Sequence, residues 1–163
     1  MGRKPNTNKK EKVKNLKKFV EDPSLITLAN KVINENRLDY LNQVRIKYVL
    51  VDQYISKTTV AKCIMASKEL KHFGNLDYIV EISKTVFDKV DDATKELIMF
   101  HELLHILLKT NKNGDLVTKI MQHDVQDFSN IIKKHGVEWI KELRIAVTSI
   151  MDLDITKADD VKI

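Results

Sequence analysis

The sequence is poor in the residues that interrupt or cross-link a chain, with four glycines, two prolines and one cysteine among 163 residues. Such a composition excludes collagen-like and low-complexity proteins, and a lone cysteine, Cys63, excludes an intramolecular disulfide. No apolar run reaches the roughly 18 residues that a membrane-spanning helix needs. Residues 1–6 lack the apolar core of a signal peptide. These absences predict an intracellular, cytoplasmic protein without a membrane partner.

The positive charge of the chain is concentrated at its start. The formal net charge is +5, but residues 1–18 hold eight basic side chains and one acidic one, whereas residues 19–163 hold 20 basic and 22 acidic side chains. We therefore expect a basic tail over residues 1–18, one folded domain over 19–151 and an acidic polar tail over 152–163. The basic tail either attracts nucleic acid phosphates or only keeps the start of the chain solvated.

The spacing of apolar residues predicts strands and helices in separate parts of the chain. The predicted strands cover residues 45–56, 60–66 and 78–87. The predicted helices cover residues 23–36, 91–109, 124–136 and 137–150. Residues 68–75 favour a polar turn, and residues 116–121 favour a strand or an extended loop. This order predicts an α+β fold, in which a small, mainly antiparallel sheet packs on one long helix and two C-terminal helices follow.

Residues 101–105, His-Glu-Leu-Leu-His, form the HExxH pattern. On a helix, His101 and His105 lie one turn apart on the same face, so their imidazoles can bind one Zn²⁺ ion. Glu102 lies within reach of a metal-bound water and would act as its general base. The flanking residues are nearly all apolar, which predicts a buried helix whose polar side chains need a partner such as a metal. The alternative interpretation is two histidines that only pack in the core.

Catalytic zinc usually has three protein ligands and one open position, so a third ligand is expected. His123 is the first candidate because it lies 18 residues after His105, at the predicted start of the next helix. Asp124 is an alternative, since carboxylates also bind zinc, although it fits equally as a helix N-cap. His135 is a further alternative, but its place at a helix end beside Gly136 has another explanation. The oxyanion-stabilising residue stays open among His135 and the four tyrosines.

Two stretches resemble the family of phage metallopeptidases: His-Glu-Leu-Leu-His-Ile at 101–106 and His-Asp-Val-Gln-Asp-Phe at 123–128. The likeness continues to Trp139 and extends back over the predicted strands to about Arg45. It implies a compact, zincin-like single domain encoded by a phage or prophage. The roles that it implies, three metal ligands and a general base, fall on His101, His105, His123 and Glu102. SprT-like proteases, which act on proteins crosslinked to DNA, are more loosely similar, because the Gly that follows their third His is Asp124 here.

These features together predict a zinc-dependent metallopeptidase that acts on a protein or peptide substrate. An extended substrate would add to a sheet edge near the third predicted strand. Two other hypotheses stay open: a metal-containing binding module without turnover, and a SprT-like protease brought to DNA-associated proteins by residues 1–18. Trp139 and Phe128 are expected to pack in the core, and Cys63 is expected to be a buried small apolar residue. The sequence leaves the oligomeric state open.

Overall fold

A computed structural model describes residues 18–52, 59–122 and 129–136, together with residues 138, 139, 141–143 and 145. The predicted acidic tail, the basic tail up to residue 17 and the candidate ligands His123 and Asp124 lie outside the described residues. The domain limits 19–151 therefore stay a prediction. No helix within the described ranges is long and apolar enough to cross a membrane.

Four strands form the main sheet: β1 (Phe19–Val20), β2 (Ile46–Val51), β3 (Ala61–Met65) and β4 (Tyr78–Ser83). Their order in the sheet is β1-β2-β4-β3. The two outer pairings are antiparallel, but β2 and β4 run parallel at the centre. The expectation of a mainly antiparallel sheet therefore holds for the outer pairings and is wrong for the central one. The long crossover between β2 and β4, which includes β3, lets these two strands run in the same direction.

The sheet buries one face against two helices, and alternate residues of strand β4 point to that face. These residues are fully buried: Tyr78, Val80 and Ile82. Helix α1 (Pro23–Glu35) begins at Asp22, whose carboxylate accepts the N–H of Ser24 at 2.9 Å. It packs against β2 and against the helix that carries HExxH, Asp92–Leu104. The predicted α+β class is confirmed.

Two predictions for the sheet region are wrong, one of an element's type and one of an element's end. Residues 68–75, predicted as a polar turn, contain helix α2 (Lys68–Phe73), which Ser67 caps. The third predicted strand ends at Ser83, and the short helix α3 (Lys84–Phe87) follows. The buried residues of α3 continue the apolar run of β4, and such a run does not distinguish a strand from a short buried helix.

The HExxH helix, α4, is shorter than predicted. It ends at Leu104 rather than near Lys109, and the chain enters an antiparallel hairpin of β5 (Ile106–Thr110) and β6 (Leu116–Ile120). The strand predicted as one alternative for residues 116–121 is confirmed. The hairpin forms a separate two-stranded sheet.

A polar turn joins the two strands of the hairpin. The side-chain oxygen of Asn111 accepts the backbone N–H of Asn113 at 2.8 Å and that of Asp115 at 2.9 Å. Gly114 has a φ of +88°, which residues with a side chain rarely adopt. Residues 106–108 are apolar, so they fit a helix or a buried strand equally well, and only the pairing with β6 decides between them.

The C-terminal part of the described chain is helical. Helix α5 (Ser129–His135) ends just before Gly136, the predicted C-cap, and the Gly136 N–H bonds to the carbonyl of Ile132 at 2.8 Å. Gly136 has a φ of +82°, the conformation typical of a helix C-cap glycine. Residues 139, 141–143 and 145, inside the last predicted helix, are also helical.

Candidate active site

The HExxH residues occupy the buried end of α4. The helix begins at Asp91, whose carboxylate accepts the N–H of Thr94 at 2.8 Å, as predicted from the Asp pair there. The seven residues 98–104 are all buried. Polar side chains at these positions have almost no contact with solvent. His101 and Glu102 are accordingly 1% and 0% exposed.

The two imidazoles of the motif are close neighbours in an edge-to-face arrangement. The ring centroids of His101 and His105 are 5.2 Å apart, and the ring planes are inclined at 75°. His105 is the C-cap residue with helical backbone angles, so the spacing of one turn extends through it. Rings in this arrangement can each direct a nitrogen at a common ion about 2 Å away.

A hydrogen bond fixes the orientation of the His105 ring. Its Nδ1 lies 2.8 Å from the carbonyl oxygen of Met121. Because a carbonyl only accepts, Nδ1 donates its proton, and the neutral ring keeps its lone pair on Nε2. The N–H of Met121 donates in turn to the carbonyl of His105 at 2.7 Å. Nε2 is therefore the ring nitrogen with the lone pair that a metal ligand needs.

The carboxyl group of Glu102 is fully buried, and neither of its oxygens has a hydrogen-bonding partner among the described residues. Burial raises the pKa of Glu102 to about 8, and the backbone N–H of Cys63 in β3 opposes part of this rise without reaching hydrogen-bonding geometry. An unpaired buried carboxyl group is costly. These three side chains, one desolvated carboxyl group and two adjacent imidazoles on one helix turn, fit a divalent cation such as zinc.

Cys63 itself is half-buried in β3. Burial raises the pKa of its thiol, so the group stays neutral. A neutral thiol behaves as a small apolar side chain, as predicted, but Cys63 is half-buried where a buried residue was expected.

Trp139, the single tryptophan of the chain, packs beside the site. Its ring centroid is 6.1 Å from that of His101, and the residue is 5% exposed. The prediction that Trp139 packs in the core is confirmed. Its indole also fills space next to His101, which the sequence did not indicate.

Replacing Trp139 by Ala is expected to lower the free energy of unfolding by about 3–5 kcal/mol, the usual cost of removing a large buried aromatic side chain. Trp139→Phe keeps an aromatic ring in the space and should cost only about 1 kcal/mol. Urea denaturation followed by circular dichroism measures both variants. Equal costs for the two variants would contradict a space-filling role.

The third ligand has three candidates, and the structure bears on one of them. His123 and Asp124 lie outside the described residues. His135, at the end of α5, lines a cavity with Phe100 and other residues of α4. Within the part of the chain that the structure describes, no three His, Cys, Asp or Glu side chains lie close enough to hold a metal. His135 therefore does not join the two imidazoles of α4.

Two tyrosines that the sequence left as oxyanion candidates bond to the hairpin instead. The hydroxyl of Tyr40 donates to the carbonyl of Ile106 at 3.1 Å, and that of Tyr78 donates to the carbonyl of Lys119 at 2.7 Å. Sequence reasoning missed these contacts and the contact of Met121 with the motif. No local pattern could have revealed them, because each depends on how the hairpin packs.

A buried carboxyl group beside two adjacent imidazoles, inside an α+β domain, is a combination typical of metallopeptidases. The chain belongs to the family described as "Putative phage metallopeptidase", whose family model matches residues 17–147. No curated protein and no solved structure matches the chain. The resemblance to phage metallopeptidases is confirmed, and the looser similarity to SprT-like proteases finds no support in these comparisons.

Proposed function

We propose that this protein is a phage- or prophage-encoded, zinc-dependent peptidase that hydrolyses peptide bonds with a metal-activated water. His101, His105 and His123 hold the zinc, with Asp124 as the alternative third ligand, and Glu102 is the general base. The observation that carries the proposal is the fully buried carboxyl group of Glu102, which has no hydrogen-bonding partner among the described residues and lies on the same helix turn as two adjacent imidazoles. The family match favours an enzyme over a binding module without turnover.

The hairpin supports His123 as the third ligand. Ile106 pairs with Ile120, so the ends of the hairpin meet and Met121 lies against His105. His123 follows Met121 by two residues, and a chain of that length reaches at most about 7 Å. The hairpin thus links two of the proposed ligands, one before its first strand and one shortly after its second.

Glu102 performs the proton transfers of the proposed reaction. A zinc ion, when bound, polarises the scissile carbonyl and lowers the pKa of the attacking water. Glu102 accepts the proton of that water and later donates it to the leaving amine. Burial favours this role because a desolvated carboxylate is a stronger base than a solvated one, while a nearby cation favours its ionised form.

An extended substrate is best placed along β3. The third predicted strand, β4, lies inside the sheet, and the sheet edge next to it is β3. β3 ends the strand order and pairs with β4 on one side only among the described residues. It also carries Cys63, whose backbone lies beside the carboxyl group of Glu102. A peptide that pairs with this edge would pass the proposed general base.

The metal-binding part of the proposal is tested by comparing zinc content and casein cleavage in the wild type, His101→Ala and His105→Ala. Both variants are expected to lose zinc and activity together, because two-ligand sites bind zinc weakly. Trp139 fluorescence, from a ring 6.1 Å from His101, follows metal titration directly.

His72→Ala is the matched control, because His72 is an exposed histidine near the end of α2, outside the site. It should keep full zinc content and activity. Wild-type protein that binds zinc but cleaves no folded or unfolded substrate would overturn the peptidase assignment. Zinc retention by both α4 variants would overturn the metal site.

A further inference from the structure

The hydroxyl of Tyr78 fastens the hairpin to the main sheet. Tyr78 is fully buried on the central strand β4, and its hydroxyl oxygen lies 2.7 Å from the carbonyl oxygen of Lys119 and 3.3 Å from that of Leu107. Lys119 and Leu107 are opposite each other in β6 and β5. Desolvation raises the pKa of Tyr78 to about 12, so the hydroxyl stays protonated and donates. One phenolic oxygen thus contacts both strands of the hairpin.

The pair formed by His105 and Met121 is two positions further along the same ladder. The backbone N–H of His105 bonds to the carbonyl of Glu102 at 3.3 Å, at the end of the helix. The imidazole Nδ1 bonds to the Met121 carbonyl instead, at 2.8 Å. The side chain therefore takes the place that a backbone N–H would fill in a regular ladder. A shift of the hairpin against α4 would turn or release the imidazole.

A second tyrosine also bonds to the hairpin, at the end next to His105. Tyr40, in the short 3-10 helix Asp39–Gln43, donates its hydroxyl to the carbonyl of Ile106 at 3.1 Å. Ile106 is the residue directly after His105. Two hydroxyls from separate elements therefore fix the hairpin within two residues of the proposed ligand.

We propose that Tyr78 is a positioning residue for the metal site: its hydroxyl holds the β5–β6 hairpin against the sheet, so that Met121 keeps the imidazole of His105 in its metal-binding orientation. This inference rests on the proposed function, because it takes His105 as a metal ligand. Removing a hydrogen-bonding partner of a ligand histidine typically weakens metal binding about 10- to 100-fold. Tyr78 acts through Met121, one step further out, so the lower end of this range is expected.

The test is Tyr78→Phe in the full chain, which removes only the hydroxyl. The dissociation constant for Zn²⁺, measured by competition with a chromogenic chelator, is expected to rise about 10-fold. In metal-free protein, the Nδ1 proton of His105, followed by NMR, should exchange with solvent faster than in the wild type. The matched control is Ile82→Val, four residues along the same strand, which removes one buried methyl group and should change neither measurement.

Different outcomes separate this inference from the proposed function. If Tyr78→Phe keeps wild-type zinc affinity and slow exchange while His105→Ala loses zinc, the positioning role is overturned and the metal site stands. If His105→Ala keeps zinc, the proposed function fails, and the exchange measurement, made without metal, still decides whether Tyr78 holds the ring. Should Tyr78→Phe not fold, Tyr40→Phe removes the second hydroxyl contact and is judged by the same two measurements.

Discussion

Glu102→Gln is expected to lower kcat/KM for peptide hydrolysis by about 10²- to 10⁴-fold, the usual contribution of a positioned general base. Gln has nearly the same size as Glu, but its amide neither accepts a proton from the attacking water nor delivers one to the leaving amine. Zinc content should stay at the wild-type level, because the proposed ligands are unchanged. Steady-state cleavage of a peptide and metal analysis of the same preparation provide the measurement.

The matched control is Glu96→Gln in the same helix. Glu96 forms an ion pair with Lys31 at the surface and takes no part in the site. It should keep full activity and full zinc content. A Glu102→Gln variant with wild-type kcat/KM would contradict the role of general base, whereas one that loses zinc would show instead that the carboxyl group helps to hold the metal.

The stability of the metal-free protein is expected to fall as the pH rises from about 5 to about 8. The pKa of Glu102 is about 8 in the folded protein and 4.5 as an ordinary carboxyl group. Over this interval the folded protein keeps the proton while the unfolded chain has released it. The contribution of protonated Glu102 to the free energy of unfolding is therefore fully present below the pKa of the unfolded chain. It is lost as the pH rises to the pKa of the folded protein. The loss is on the order of 1 kcal/mol for each pH unit, several kcal/mol in all.

Comparison with Glu102→Gln isolates this effect, because every other titrating group is common to both proteins. Urea denaturation in the presence of a chelator should give similar free energies of unfolding at pH 5. At pH 8 the variant should be the more stable protein, since its amide never ionises. Parallel stability curves for the two proteins from pH 5 to 8 would show that Glu102 does not titrate with a raised pKa.

Local sequence patterns predicted the helices whose own residues include capping residues and a repeating apolar face. Helix α1 has Asp22 and Pro23 at its start and a repeating buried face, and its predicted and observed limits nearly coincide. The start of α4 at Asp91 and the end of α5 at Gly136 were predicted from capping residues for the same reason. The composition also indicated one domain with a buried core.

Local sequence patterns did not predict the conformation of segments that depend on a partner far away in the chain. Residues 106–108 are apolar in either a helix or a strand, and they form β5 because β6 pairs with them. The parallel pairing of β2 with β4 likewise depends on where β3 is placed, which neither strand encodes locally.

The sequence alone determined the chemistry that the site offers, because the spacing in HExxH places His101 and His105 on one helix face whatever the rest of the fold does. Only the tertiary structure decided the pKa of the carboxyl group and the orientation of the imidazole. Burial by the sheet and neighbouring helices raises the pKa of Glu102, and the hairpin orients His105 through Met121. Desolvation and hydrogen bonding act between segments far apart in the chain. A motif therefore specifies which groups are present, whereas packing specifies their basicity and direction.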